Sequence, residues 1–239
     1  MRKVLVFAVI IIFGLNLAAS AASIVGSKHD LSSTTGITNE SQVCIFCHTP
    51  HGASKQGPLW NREASTAIYT PYASDSLNAT IDEIYGSKDD GSGGTILNDA
   101  GLTTGSSPDL CLSCHDGTVA VNSLLNTSTN DTLPTMTAGL SQFDANGKLI
   151  REPALLGTDL SNDHPVNFIY SEVATADAGI MAADANGKTV AGKLPLFSGK
   201  MQCSTCHNVH DPGTDKTGQE PFLRDSKVGS AICLDCHNK

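Results

Sequence analysis

The longest apolar stretch of this chain lies at its start. Residues 4–17 are apolar apart from Gly14 and Asn16, follow Arg2 and Lys3, and lead into Ala18-Ala19-Ser20-Ala21-Ala22. A charged start, a short apolar stretch and a small-residue site describe a cleaved secretory signal, so residues 1–21 are expected to be removed after Ala21. The run is shorter than the roughly 20 residues that span a bilayer. No cysteine follows it to carry a lipid, so no membrane anchor is expected. Beyond residue 22 the signals for regular structure are thin. Residues 119–125 and 230–236 read as short helices, the second with Ser230 as N-cap. Asp144-Ala145-Asn146-Gly147-Lys148 recurs as Asp184-Ala185-Asn186-Gly187-Lys188, and Asn-Gly between extended residues signals two small surface hairpins. The predicted fold is mostly irregular coil with a few short α-helices and small β-hairpins. The glycine-rich stretch 89–94 lacks a following Lys-Ser/Thr and reads as a solvated loop rather than a phosphate loop.

Composition turns this thin pattern into a problem. The chain has 239 residues and only 5% aromatics. Of its 15 Lys and Arg, two leave with the signal, so 13 remain against 24 Asp and Glu, a net charge of −11. Nucleic acid and anionic lipid are disfavoured as partners by this charge. Residues 22–239, expected to form a single domain, are rich in Gly, Ser, Thr, Asn and Asp and would make a poor core by themselves. Something else must supply apolar surface.

The cysteines say what. All 8 fall in copies of Cys-x-x-Cys-His: Cys44/Cys47/His48, Cys111/Cys114/His115, Cys203/Cys206/His207 and Cys233/Cys236/His237. Two thiols three residues apart add to the two vinyl groups of one haem, and the adjoining histidine becomes its proximal ligand. Four covalently bound haem c groups are therefore expected, with His48, His115, His207 and His237 proximal. A zinc knuckle needs paired hooks about 12–20 residues apart. Here the motif starts lie 67, 92 and 30 residues apart, and zinc gives no reason for the fifth-position histidine. A disulfide scaffold leaves the four motif histidines without a role.

The remaining histidines are His29, His51, His164 and His210, one for each second axial position. Bis-histidine ligation at all four haems follows, leaving no open face for a substrate, so the protein is expected not to be an enzyme. Methionine is the competing axial ligand. Met201 precedes Cys203 too closely, and Met136 and Met181 read as core filler. A histidine three residues after a proximal ligand cannot reach the opposite face of the same haem. His51 and His210 must serve neighbouring irons, which brings haems into close stacked pairs.

The first and third motifs share the continuation His-x-x-His, and each is echoed downstream, Pro58-Leu59-Trp60-Asn61-Arg62 against Pro221-Phe222-Leu223-Arg224. The second and fourth share Cys-Leu-x-Cys-His. The chain reads as a duplicated two-haem unit, about 29–135 and 150–239. The simplest pairing keeps His51 with the second haem and His210 with the fourth. His164 then serves the first haem, and His29, near the mature N-terminus, reaches the third haem of an adjacent subunit.

Ser27-Lys28-His29-Asp30, Cys44 to His51 with Pro58-Leu59-Trp60-Asn61-Arg62, Cys111 to Val119, and Asp163-His164-Pro165-Val166-Asn167-Phe168 are carried together by one family. Over the whole mature length the chain resembles the OmcE-like extracellular tetrahaem c-type cytochromes. That resemblance implies an irregular fold around a haem column, and subunits that polymerise into conductive filaments with a histidine crossing each interface. The expected function is electron transfer by a secreted, cell-surface homopolymer working with redox partner proteins or extracellular acceptors. The alternatives are a soluble periplasmic tetrahaem shuttle and a multihaem oxyanion reductase.

Overall fold

The computed structural model describes residues 24–34, 36–54, 57, 59–62, 65–78, 107–128, 132–137, 141–212 and 222–238. The signal segment and the 89–94 loop lie outside the described residues. Every described strand is two residues long. β1 (Ile37–Thr38) pairs antiparallel with β2 (Thr135–Met136), setting Ile37 opposite Met136. β3 (Phe168–Ile169) pairs with β6 (Lys200–Met201), and β4 (Thr189–Val190) with β5 (Leu194–Pro195), both antiparallel. The mostly irregular architecture expected from the sequence is the one observed.

The helices are short, and three of the four carry motif residues. α1 (Ser107–His115) opens on Ser107-Pro108-Asp109. Its proline occupies the first turn, where no amide hydrogen is needed, and Asp109 complements the positive end of the helix. α2 (Tyr170–Ala176) follows β3; α3 (Cys203–Cys206) and α4 (Ala231–Leu234) are single turns. The first motif lies on a 3-10 turn, Val43–Phe46. His48, His207 and His237 donate their backbone amides to the carbonyls of Cys44, Cys203 and Cys233 at 2.8, 3.0 and 2.8 Å. Each motif is thus one helical turn, which gathers residues i, i+3 and i+4 on one face.

Both Asn-Gly hairpins form. Phe143 bridges Leu149 and Ala183 bridges Val190, with Gly147 and Gly187 in the left-handed region at φ 82° and 64°. Asp144 and Asp184 close the turns by accepting from the amides of Lys148 and Lys188. The helix expected over 119–125 is absent. Val121 and Leu125 donate their amides to Gly147 and Asn61 carbonyls instead, and the apolar Val121 and Leu124 go into the core. At the other expected helix, only Ala231–Leu234 is α-helical, and Ser230, at φ 61°, makes no side-chain cap.

Two apolar clusters hold these pieces. Ile45, Phe46, Val121 and Phe143 belong to one, with Cys47 and Cys114 packed against it. Tyr69, Leu112, Val190 and Met201 belong to the other, with Cys206 and Cys236 against it. Met136 packs on the first, whereas Met181, expected to be core filler, is 40% exposed. Among the described residues no helix is long and apolar enough to cross a membrane.

The twin hairpins allow a controlled test. A Cβ on Gly147 would meet Asn122 Oδ1 at 2.7 Å, whereas one on Gly187 would meet nothing within 4 Å. Gly187→Ala should cost only the left-handed backbone penalty, about 1–2 kcal/mol, and Gly147→Ala clearly more. Denaturant titrations of the two purified variants measure the difference, and equal losses would contradict this account.

Candidate functional site

Three of the four motifs are gripped by the same backbone clamp. His48 lies antiparallel to Trp60, His207 to Leu223 and His237 to Ile180. In each case the carbonyl of the second motif cysteine accepts from the opposing chain: Cys47 from Asn61, Cys206 from Arg224 and Cys236 from Met181, at 2.9, 2.9 and 2.8 Å. The amide just after the histidine donates back, from Thr49 to Leu59, Asn208 to Phe222 and Asn238 to Gly179, at 2.8, 2.7 and 2.8 Å. Leu59 and Phe222 both take left-handed backbone, at φ 62° and 70°. The downstream sequence echo is therefore one structural turn used twice, with Asn61 and Arg224 in equivalent places.

Those two residues also do the same work with their side chains. Asn61 Nδ2 donates to the Ile45 carbonyl at 2.7 Å, and Arg224 Nε donates to the Ser204 carbonyl at 2.8 Å. Both carbonyls belong to the second residue of a Cys-x-x-Cys-His motif. Nothing in the motifs themselves announces this role; the echo was the available signal.

The histidines meet in twos. His48 and His210 have ring centres 6.0 Å apart, His29 and His115 5.9 Å, and His164 and His237 6.3 Å. With a metal–imidazole bond of about 2.0 Å and a ring nitrogen about 1.1 Å from the ring centre, imidazoles on opposite faces of one metal have centres roughly 6 Å apart. Each pair joins one motif histidine to one of the four others. Among the described residues no three or more His, Cys, Asp or Glu gather around a single point. The rings lie at 75° in the His29–His115 and His164–His237 pairs and at 19° in His48–His210, and pairs at this separation are what an iron already held by four porphyrin nitrogens needs, so the residues fit the group.

The pairing differs from the one expected. His210 faces His48, in the other half of the chain, and His164 stands by His237. His29 is turned inward, beside His115 and stacked on Phe222 at 4.5 Å, instead of forming an outward arm. The third motif sits against the second, through Ser107, Ser204, Cys111 and Cys203, across the expected boundary between the halves. No ring contact joins His51 to His207 among the described residues, and both are exposed.

Protonation suits ligation. The Ala154 carbonyl, 2.6 Å from His115 Nδ1, can only accept, so Nδ1 carries the proton and Nε2 is left for a metal. His164 Nδ1 donates likewise to the Pro165 carbonyl at 2.9 Å. Burial, with the neighbouring His115, His207 and His210, pulls His29 down to about 4, so it is neutral at neutral pH. Burial also lowers His48 and His207. The thiols go the other way: burial pushes Cys47 up to about 12 and Cys206 to about 11. Both thiols are therefore protonated and neutral at neutral pH.

None of the eight cysteines is in a disulfide. Cys111 and Cys203 lie within hydrogen-bond reach of each other, and the helices bearing them are stapled by the Ser107 hydroxyl, which contacts the Ser204 amide at 3.0 Å and hydroxyl at 2.8 Å. The second and third motifs are thus neighbours. No protein-family model matches the chain, and no curated protein is significantly similar to it.

Asn61, fully buried, also donates to the Asn126 carbonyl at 2.8 Å and accepts the Asn126 amide at 2.9 Å. Asn61→Ala strands these buried groups and should cost about 2–4 kcal/mol. Denaturation of the purified variant tests this, and a loss below about 1 kcal/mol would show that the clamp does not depend on the side chain.

Proposed function

We propose that this chain is a multihaem c-type cytochrome that carries electrons through four bis-histidine haems, exported by way of residues 1–21 and assembled into an extracellular conductive filament. The single observation that carries the reading is the set of three opposed imidazole pairs at bis-histidine separation, each combining a motif histidine with one outside the motif. The cysteine pairs would hold haem covalently, and the iron would supply a one-electron couple. The polypeptide's part is to keep the imidazoles opposed, hold Nδ1 protonated at His115 and His164, and bury the contacts between motifs. In this reading three haems have both axial positions filled within the chain and His51 fills the fourth, which sets the protein apart from an oxyanion reductase, whose substrate needs a free face.

The crossing ligand of the filament is assigned anew. His29 faces its own His115, which supports giving the crossing role to another histidine. His51 is exposed and three residues from His48, whose haem it cannot serve from the far side. In this reading His51 of one subunit completes the haem of His207 in the next, a heterologous contact that propagates. The inward turn of His29 favours the second reading, a soluble periplasmic shuttle, in which His51 reaches His207 within one chain.

Purified holoprotein should contain four covalent haems, all low-spin. Cys111→Ser should lose one covalent haem. His51→Ala should keep four haems, turn one high-spin and carbon monoxide-binding, and abolish filaments under the electron microscope. Loss of a ligand with filaments intact would favour the shuttle, and four low-spin haems in His51→Ala would remove His51 from the ligand set.

A further inference from the structure

Arg62 is 1% exposed and carries a full charge. Its guanidinium donates to three backbone carbonyls, those of Val121 at 2.7 Å, Ala120 at 2.8 Å and Ser113 at 3.2 Å. Its Nε has no partner. Among the described residues the ion pairs join Lys193 to Asp225 and Asp235, and no carboxylate lies at ion-pair distance from Arg62. The buried Asp116 carboxylate is taken by the Tyr69 hydroxyl at 2.7 Å and by the Thr118 amide and hydroxyl. A buried, unpaired cation is costly unless an anion or a change in neighbouring charge compensates it.

Its location says what it acts on. Ser113 lies inside the second motif, and Asn61, next to Arg62 in sequence, holds the Ile45 carbonyl of the first. Cys47 and Cys114 share one apolar cluster. Arg62 therefore stands between the two motifs of the first half. The second half has no counterpart: Arg224 occupies the Asn61 place, is exposed, and is followed by Asp225, which pairs with Lys193 at 2.7 Å.

We propose that Arg62 is a positioning residue that raises the reduction potential of the haem pair held by the first and second motifs, with its unpartnered Nε available to a haem carboxylate. The proposal rests on the tetrahaem reading above. Reduction removes one positive charge from iron, so a fixed cation nearby favours the reduced state, and in a buried setting salt screens it little. Charge, hydrogen bonding and burial are the levers that set such potentials once the axial ligands are fixed.

The test is a spectroelectrochemical titration of haem-loaded wild type, Arg62→Gln and Arg62→Lys, with covalent haem counted in each. Arg62→Gln should keep four haems and shift one component about tenfold toward oxidised iron at its wild-type midpoint, a fall of about 59 mV for a one-electron couple. Arg62→Lys, which keeps the charge, should titrate like wild type. A wild-type titration in Arg62→Gln would overturn the proposal, and so would an equal fall in Arg62→Lys, which would make the effect structural. If Arg62→Gln loses haem, Arg62→Lys decides: an unshifted midpoint supports the proposal and a lowered one overturns it. A wild type without four covalent haems would instead remove the tetrahaem reading itself.

Discussion

Two imidazoles can share one iron only if they approach from opposite sides with a flat macrocycle between them, and residues on one turn of chain cannot do that. In the proposed cytochrome each such pair is made by segments far apart in sequence: His48 with His210, His29 with His115, His164 with His237. Bringing them together makes demands on the rest of the architecture. With described strands of two residues and described helices of at most nine, there is little regular structure to aim a side chain, so the aiming is done by individual hydrogen bonds. Buried backbone groups must find partners in any case, and here the partners they find fix the motifs.

The repeated clamp is the clearest instance. At three motifs a passing strand exchanges the same two backbone bonds with the second cysteine and the residue after the histidine. The strand comes from downstream in the first and third motifs and from upstream in the fourth, so the geometry is preserved while the chain direction in sequence is not. Leu59 and Phe222 accept left-handed backbone in the matching position, a conformation that costs a non-glycine residue about 1 kcal/mol or more. The clamp outweighs that strain twice over. Phe222 then serves a second purpose, as the platform on which the His29 ring lies.

How much of this was legible follows from what each signal depends on. The Cys-x-x-Cys-His turns, the two Asn-Gly hairpins and the paired echo after the first and third motifs are local in sequence, and they reappear as local structure. The start of α1 was also written locally, in Ser107-Pro108-Asp109, but lay in a stretch without apolar periodicity. Residues 119–125 carried an apolar spacing that suited a helix; a neighbouring hairpin and Asn61 took their amides, and the side chains filled the core instead. The individual histidine partners were not legible, since the duplicated unit suggested keeping His51 and His210 within their own halves and placing His164 on the first haem, whereas His210 crosses to His48 and His164 stays beside His237. Contact between the second and third motifs, through Ser107, Ser204, Cys111 and Cys203, shows that the halves are interleaved.

Interleaving also changes what charge can do. A strongly acidic chain disfavours electrons everywhere by roughly the same amount when its carboxylates are at the surface, because water and salt screen them. A cation buried between two motifs acts locally and is not averaged away. Asn61 and Arg62 are adjacent, yet Asn61 clamps the first motif while Arg62 reaches the second, so one short segment ties the two together through neutral and charged contacts at once. In the second half the clamping side chain is itself the cation, Arg224, and it faces solvent. Two halves built on the same turn thus differ in where they place positive charge, and in the proposed cytochrome it is this difference, rather than the shared ligands, that distinguishes one haem pair from the other.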